Sequence, residues 1–221
     1  MTRIKICGIR DKSHALAAVE AGADFIGLVF APSQRQVSPA QAREIANAVK
    51  KGSAATKVVG VFVNAPVFQI NEIADFCALD VIQLNGNESW EDCHKIVNPV
   101  IKAIRVGGQS PEDICAELSA ASELLAGRRF VTLLDSEVEG KYGGTGKSFN
   151  WDLAQEVAKE FPVIIAGGLD AQNVAMLIER VAPWGVDVSS GVETAGAKDI
   201  AKIEAFVEAV RKADEKKQAI T

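Results

Sequence analysis

The chain has 221 residues, 48% of them hydrophobic and 24% charged, a balance typical of a globular protein. Its net charge is −5 and its Lys and Arg residues are dispersed, which argues against a nucleic-acid or membrane partner. No apolar stretch approaches the roughly 20 residues that span a membrane.

Eight short apolar runs alternate with stretches of helical character. The runs cover residues 4–7, 25–30, 58–63, 81–84, 100–105, 130–135, 163–166 and 185–188. Their nearly continuous apolar character is typical of parallel strands covered by helices. Between the runs, apolar residues recur at helical spacing, as they do from Val174 to Val181. Eight such units favour a single-domain α/β fold, the (β/α)8 TIM barrel, over residues 1–213.

A doubly wound open sheet is the alternative architecture. A Gly-x-Gly-x-x-Gly motif does not follow the first run, which weakens a dinucleotide-binding interpretation. The charged residues 214–221 are predicted to form a frayed tail.

Two proton-active side chains stand at strand ends, where a barrel places its active site. Cys7 closes the first run and Asp135 closes the sixth. Side chains alternate along a strand, so Lys5 shares a face with Cys7 and would place an ammonium near the thiol. These residues could serve as base and acid over one pocket. The alternatives are a buried structural cysteine and an aspartate that caps or pairs with the next loop.

The loops after the seventh and eighth strands predict a phosphate site. Gly167 and Gly168 follow the seventh strand, and Ser189, Ser190 and Gly191 follow the eighth. Barrels often bind phosphate at these two loops, because glycines let the backbone amides approach the anion. Two ordinary tight turns are the alternative.

Other candidates carry a weaker signal. Arg35 follows the second strand and could hold a carboxylate, although an isolated loop arginine is more often solvated. The glycine-rich residues 140–147 could close over a ligand or form a plain loop. His14 and His94 fall in helical stretches away from strand ends, and no metal site is predicted.

Cysteine usage indicates a cytoplasmic protein. The four cysteines form no C-x-x-C pair and have no metal-ligand spacing with either histidine, so reduced thiols are expected. Met1 leads within a few residues into the first apolar run, so no signal peptide is expected.

Taken together, the chain resembles the phosphoribosylanthranilate isomerase family over nearly its whole length, from Lys5 to Phe206. The motifs that carry the resemblance are residues 5–9 (KICGI), 60–64 (GVFVN), 134–135 (LD) with 143–146 (GGTG), and 187–193 (DVSSGVE).

The resemblance implies a cofactor-free Amadori rearrangement of N-(5-phosphoribosyl)anthranilate in tryptophan biosynthesis. Asp135 would be the general acid that opens the sugar ring, and Cys7 the general base at C2. Arg35 would hold the anthranilate carboxylate. The phosphate would bind at Gly167, Gly168, Ser189, Ser190 and Gly191, and Lys5, Asn85 and Asp187 would line the rest of the substrate site.

One residue departs from the family pattern. The fourth strand of the family ends Gln-Leu-His-Gly, whereas residues 83–86 here read QLNG. Asn85 keeps a hydrogen-bonding group but carries no charge near pH 7, so a changed substrate contact is expected.

Two other classes of function stay open. One is another phosphate-binding barrel enzyme: a sugar-phosphate epimerase, the histidine-pathway isomerase or indole-glycerol-phosphate synthase. The histidine-pathway isomerase uses two aspartates, which is less consistent with Cys7 at the first strand end. An epimerase needs metal-ligating histidines at strand ends, and His14 and His94 lie elsewhere. A non-catalytic ligand-binding barrel is less consistent with Cys7 and Asp135 together. The expected partner is a small phosphorylated substrate, and the chain would act as a monomer or homodimer.

Overall fold

A computed structural model describes residues 1–136 and 151–220 as a closed barrel of eight parallel strands. The strands are β1 (Arg3–Cys7), β2 (Phe25–Val29), β3 (Lys57–Phe62), β4 (Val81–Leu84), β5 (Val100–Val106), β6 (Phe130–Ser136), β7 (Val163–Ile165) and β8 (Gly185–Val188). The helices are α1 (Lys12–Ala21), α2 (Pro39–Gly52), α3 (Val67–Cys77), α4 (Trp90–Lys95), α5 (Pro111–Leu124), α6 (Trp151–Glu160), α7 (Val174–Val181) and α8 (Ile200–Ile220). A short hairpin, β9 (Glu193–Thr194) and β10 (Ala197–Lys198), precedes α8.

The predicted barrel is confirmed, and every strand boundary lies within one residue of its predicted position. Closure is made by β1, which pairs with β2 on one side and with β8 on the other. An open doubly wound sheet would leave two edge strands, so the alternative architecture was wrong.

Local sequence signals define where two of the helices begin. Ser38 and Ser110 each accept a hydrogen bond from the backbone amide three residues later, and a capping box forms at both sites. Pro39 and Pro111 occupy the first helical position, where a missing N–H costs no hydrogen bond. Each of these helices therefore begins at the proline of a Ser-Pro pair.

Apolar side chains form two layers. The larger lies between the strands and the surrounding helices, and the smaller fills the barrel interior. The interior layer consists of Val59, Ile101, Ala103, Leu133, Ile164 and Ala166. Polar side chains that point into the barrel therefore lie next to an apolar layer, where electrostatic interactions are stronger than in water.

The C-terminal helix differs from its prediction. The expectation of fraying from residue 214 was wrong for Asp214, because α8 continues to Ile220 and the Asp214 side chain is buried. Its carboxylate accepts 2.7 Å hydrogen bonds from both the backbone amide and the hydroxyl of Thr2. This contact joins α8 to the chain just before β1.

Among the described helices, including the 21-residue α8, none is long and apolar enough to cross a membrane.

We expect Asp214→Ala to lower the free energy of unfolding by about 2–4 kcal/mol, because it leaves two buried donors of Thr2 without an acceptor. Glu215→Ala, at the next and exposed position of the same helix, is the control and should change stability by less than about 0.5 kcal/mol. Urea unfolding measures both. Equal effects of the two substitutions would contradict a fixed Asp214.

Candidate functional site

A cavity of about 320 Å³ opens at the carboxyl ends of the strands. Nine of the predicted site residues line it: Cys7, Arg35, Asn85, Asp135, Gly167, Gly168, Asp187, Ser189 and Ser190. Apolar side chains, among them Val61 and Leu133, form part of its wall. The cavity therefore combines an apolar wall with convergent polar groups, the usual make-up of a small-molecule site.

Lys5 lies beneath the cavity and forms a buried ion pair. Its ammonium is 2.8 Å from a carboxylate oxygen of Asp187, and the lysine side chain is only 1% exposed. Burial alone would lower the pKa of Lys5, but the negative charge of Asp187 raises it above its ordinary value. Lys5 therefore stays cationic throughout the physiological pH range.

The Cys7 thiol lies beside this ammonium, at a position where β2 has no side chain. A Cβ atom added to Gly27 would come within 2.9 Å of the sulfur and 3.2 Å of the Lys5 nitrogen. Gly27 thus leaves the space that both groups occupy. Burial raises the pKa of the Cys7 thiol, and the positive charge of Lys5 offsets only part of that effect. The resting form is the thiol, with a cation positioned to stabilise the thiolate.

Asp135 lines the cavity from β6, which lies three strands away from β1 around the closed barrel. Its side chain is buried, and its register partner on β5 is Arg105. Arg105 also donates a 3.0 Å hydrogen bond to the backbone carbonyl of Asn85. A cationic side chain on the strand next to Asp135 was not predicted. The glycine-rich residues 140–147 lie outside the described residues.

The loops after β7 and β8 meet at one side of the cavity mouth. Gly167 and Gly168 have φ angles of 96° and 67°, a conformation that side chains disfavour. Ser189 and Ser190 line the cavity next to them. Gly191 is not among the lining residues; a Cβ atom there would collide with the backbone carbonyl of Leu169, so this glycine lets the two loops pack together.

Arg35 reaches the cavity as part of a partly buried network of charges. Its Nε and Nη2 atoms donate to the two carboxylate oxygens of Glu193 at 2.7 and 2.8 Å. Lys198 donates to the same carboxylate at 2.7 Å and to the backbone carbonyl of Ser189 at 2.8 Å. Burial would raise the pKa of Glu193, but the hydrogen bonds from Arg35 and Lys198 lower it to about 2. The network connects the loop after β2 to the loop after β8.

Three contributors to this region were missed in the sequence. Glu193 belongs to the quoted DVSSGVE motif but received no role, although a carboxylate just after a phosphate-type loop is a usable signal. No sequence pattern identifies Lys198, because the hairpin strand β10, and not a barrel strand end, brings its side chain to the site. Gln83 is a buried polar side chain within β4, between the apolar residues Ile82 and Leu84, and a polar residue inside an apolar strand is a usable signal.

The N-(5'-phosphoribosyl)anthranilate isomerase family matches residues 4–209 of this chain. The chain belongs to that family. A relative from Dehalococcoides mccartyi with that name is 44% identical over 215 residues, which are 97% of this chain and 98% of the relative.

Solved structures of family members have the same barrel. The phosphoribosylanthranilate isomerase of Thermotoga maritima superposes with a TM-score of 0.83 and 38% identity, covering 96% of this chain and all of the other. A second phosphoribosylanthranilate isomerase structure, in complex with reduced 1-(o-carboxyphenylamino)-1-deoxyribulose 5-phosphate, superposes with a TM-score of 0.79 at 36% identity over 96% of this chain and 100% of that one.

We expect Glu193→Gln to lower the free energy of unfolding by about 1–3 kcal/mol, because it leaves the cations of Arg35 and Lys198 without their shared anion. This loss of stability is smaller than the loss expected for a fully buried ion pair, because the Arg35 side chain is 25% exposed. Glu204→Gln, on the exposed face of α8, is the control.

The effect should depend on pH with a defined sign. The pKa of Glu193 in the folded protein, about 2, lies below its ordinary value of 4.5. The stabilisation is therefore fully present above about pH 5 and is lost as the pH falls towards 2. Unfolding curves for wild type and Glu193→Gln should converge over that interval. A constant difference between them down to pH 2 would contradict the assignment.

Proposed function

We propose that this chain converts N-(5-phosphoribosyl)anthranilate to 1-(2-carboxyphenylamino)-1-deoxyribulose 5-phosphate by an Amadori rearrangement, a step of L-tryptophan biosynthesis. The observation that carries the proposal is the meeting of Cys7 and Asp135 in one cavity whose mouth is formed by the loops after β7 and β8. Membership of the isomerase family supports the same conclusion. The reaction is an internal redox isomerisation, so atoms and electrons balance without a co-reactant.

In the first step, Asp135 acts as the general acid. It donates a proton to the furanose ring oxygen, the bond between that oxygen and C1 breaks, and a protonated imine forms between C1 and the amine nitrogen. The position of Asp135 supports this role, because its buried carboxyl group lines the cavity that would hold the sugar.

In the second step, Cys7 acts as the general base. Its thiolate removes the proton from C2, and the electron pair neutralises the protonated imine to give an enolamine. Proton transfer to C1 and loss of the hydroxyl proton at C2 then yield the ketone. The neighbouring Lys5 ammonium supports the thiolate, and Asp187 holds that ammonium in place.

The two ends of the substrate carry negative charge, and the site has a match for each. The phosphate would bind the backbone of Gly167 and Gly168 with Ser189 and Ser190, while Gly191 keeps the two loops together. Arg35 would hold the anthranilate carboxylate. Its pairing with Glu193 engages Nε and Nη2, so Nη1 is the amino group outside that pair.

Asp187 and Asn85 complete the proposed substrate contacts. Asp187 would lie near the ribose, and Asn85 would contact the substrate from the opposite wall of the cavity. Every residue invoked lies on one chain, which supports activity in either a monomer or a homodimer. We place the enzyme in the cytoplasm, where small phosphorylated metabolites are made and where its four free cysteines would stay reduced.

Cys7→Ser and Asp135→Asn should each lower kcat by about 10²–10⁴-fold, the usual contribution of a positioned acid or base. The affinity for the reduced product analogue should change little, because neither residue carries the phosphate or carboxylate contact. A coupled assay with freshly made phosphoribosylanthranilate measures the rate. Cys115→Ser and the exposed Asp75→Asn are matched controls that should keep full activity. Full activity in either site variant would overturn its assignment.

The pH profile offers a separate test of Cys7. Because the pKa of its thiol lies above the ordinary value of 9.0, only a small fraction is thiolate near neutral pH. We therefore expect kcat/KM to rise by up to about tenfold per pH unit through the neutral and mildly alkaline range. The residual activity of Cys7→Ser should lack this rise. A profile in wild type that is flat from pH 6 to 9 would contradict Cys7 as the base.

A further inference from the structure

Gln83 presents a buried acceptor that has no partner. Its side chain is 3% exposed and lines the cavity from β4. The amide nitrogen donates a 3.0 Å hydrogen bond to the Asn85 side-chain oxygen. The amide oxygen Oε1, however, is the single buried side-chain polar atom without a hydrogen-bond partner in the part of the chain that the structure describes. A buried acceptor left unpaired is costly, so a ligand that supplies a donor is the natural partner.

The depth of Gln83 identifies which part of a ligand can reach it. Side chains two residues apart on a strand share a face, so Gln83 lies one step deeper in the barrel than Asn85. It lines the same cavity as Cys7. The glycines and serines of the β7 and β8 loops lie at the mouth, beyond the strand ends. A phosphate held at the mouth would therefore leave the reacting end of the sugar to enter the depth where Gln83 and Cys7 lie.

We propose that Gln83 Oε1 accepts a hydrogen bond from the reacting end of the substrate, either from the amine N–H at C1 or from the hydroxyl at C2. The inference rests on the proposed function and adds a substrate contact to it. Asn85 is a positioning residue in this arrangement. Its side-chain oxygen accepts a hydrogen bond from the Gln83 amide nitrogen, so the Gln83 oxygen Oε1 faces away from Asn85.

The bond to the amine N–H would gain strength during the reaction. When the ring opens, that N–H belongs to a protonated imine, and hydrogen bonds to charged donors are about twice as strong as those between neutral groups. An interaction that strengthens after substrate binding raises kcat as well as affinity. The bond to the C2 hydroxyl would instead act at the centre from which Cys7 removes the proton.

The test uses Gln83→Met, which keeps side-chain length and removes both the amide oxygen and the amide nitrogen. Calorimetric titration with the reduced product analogue measures binding without turnover, and thermal unfolding measures stability. We expect about tenfold weaker binding with an unchanged or higher Tm, because the free protein loses a buried acceptor that it never paired. The Asn85 oxygen that loses its donor belongs to a half-buried side chain and can be hydrated instead. Asn98→Leu is the matched control: its amide is paired to the Leu79 carbonyl, so the variant should have a lower Tm and unchanged affinity.

Two further analogues distinguish the donors: one N-methylated at the amine and one without the C2 hydroxyl. Wild type should bind one of them more weakly than the parent compound, and Gln83→Met should lose that discrimination. Binding of the parent as tight as in wild type, or a Tm that falls as it does in Asn98→Leu, would overturn the proposal. A wild-type protein without isomerase activity would instead refute the proposed function, whatever the behaviour of Gln83.

Discussion

The buried ion pair between Lys5 and Asp187 is the interaction on which the site depends. A lysine enclosed in a barrel is strongly unfavourable unless an anion is held beside it. The pair joins β1 to β8, the two strands whose pairing closes the barrel. The same pairing of β1 with β8 therefore closes the barrel and places the Lys5 ammonium next to the Cys7 thiol. Gly27 on β2 completes it, because any side chain there would occupy the space of the sulfur and the ammonium.

The network of Arg35, Glu193 and Lys198 reduces the repulsion between two neighbouring cations near the cavity mouth. A site for a phosphate and a carboxylate needs positive charge, yet neighbouring cations repel each other when no ligand is present. Glu193 lies between the two cations and accepts from both, which leaves the group with one net positive charge. Since Lys198 also donates to the Ser189 carbonyl, the same anion fixes the loop that borders the cavity mouth.

Periodicity and strand ends were sufficient to predict the barrel and the meeting of Cys7 with Asp135. Both follow from local rules: short apolar runs form strands, and the carboxyl ends of parallel strands share one edge. Lys198 could not be predicted in this way, because its role depends on how a two-residue hairpin strand folds back over the mouth. The same holds for Asp214, whose charged neighbours resemble a solvated tail but whose carboxylate is fixed by Thr2 from the other end of the chain.

Gln83 carries a buried acceptor without a partner, which lowers the stability of the free protein. Strand β4 is otherwise apolar up to Leu84, and an apolar side chain at position 83 would extend the dry interior without an unpaired acceptor. The Asn85 side chain satisfies only one end of the Gln83 amide, which is the arrangement expected when the other end is reserved for a bound donor. Asn85 stands where the resemblance to the family implies a histidine, and its side-chain oxygen is the group that holds the Gln83 amide nitrogen.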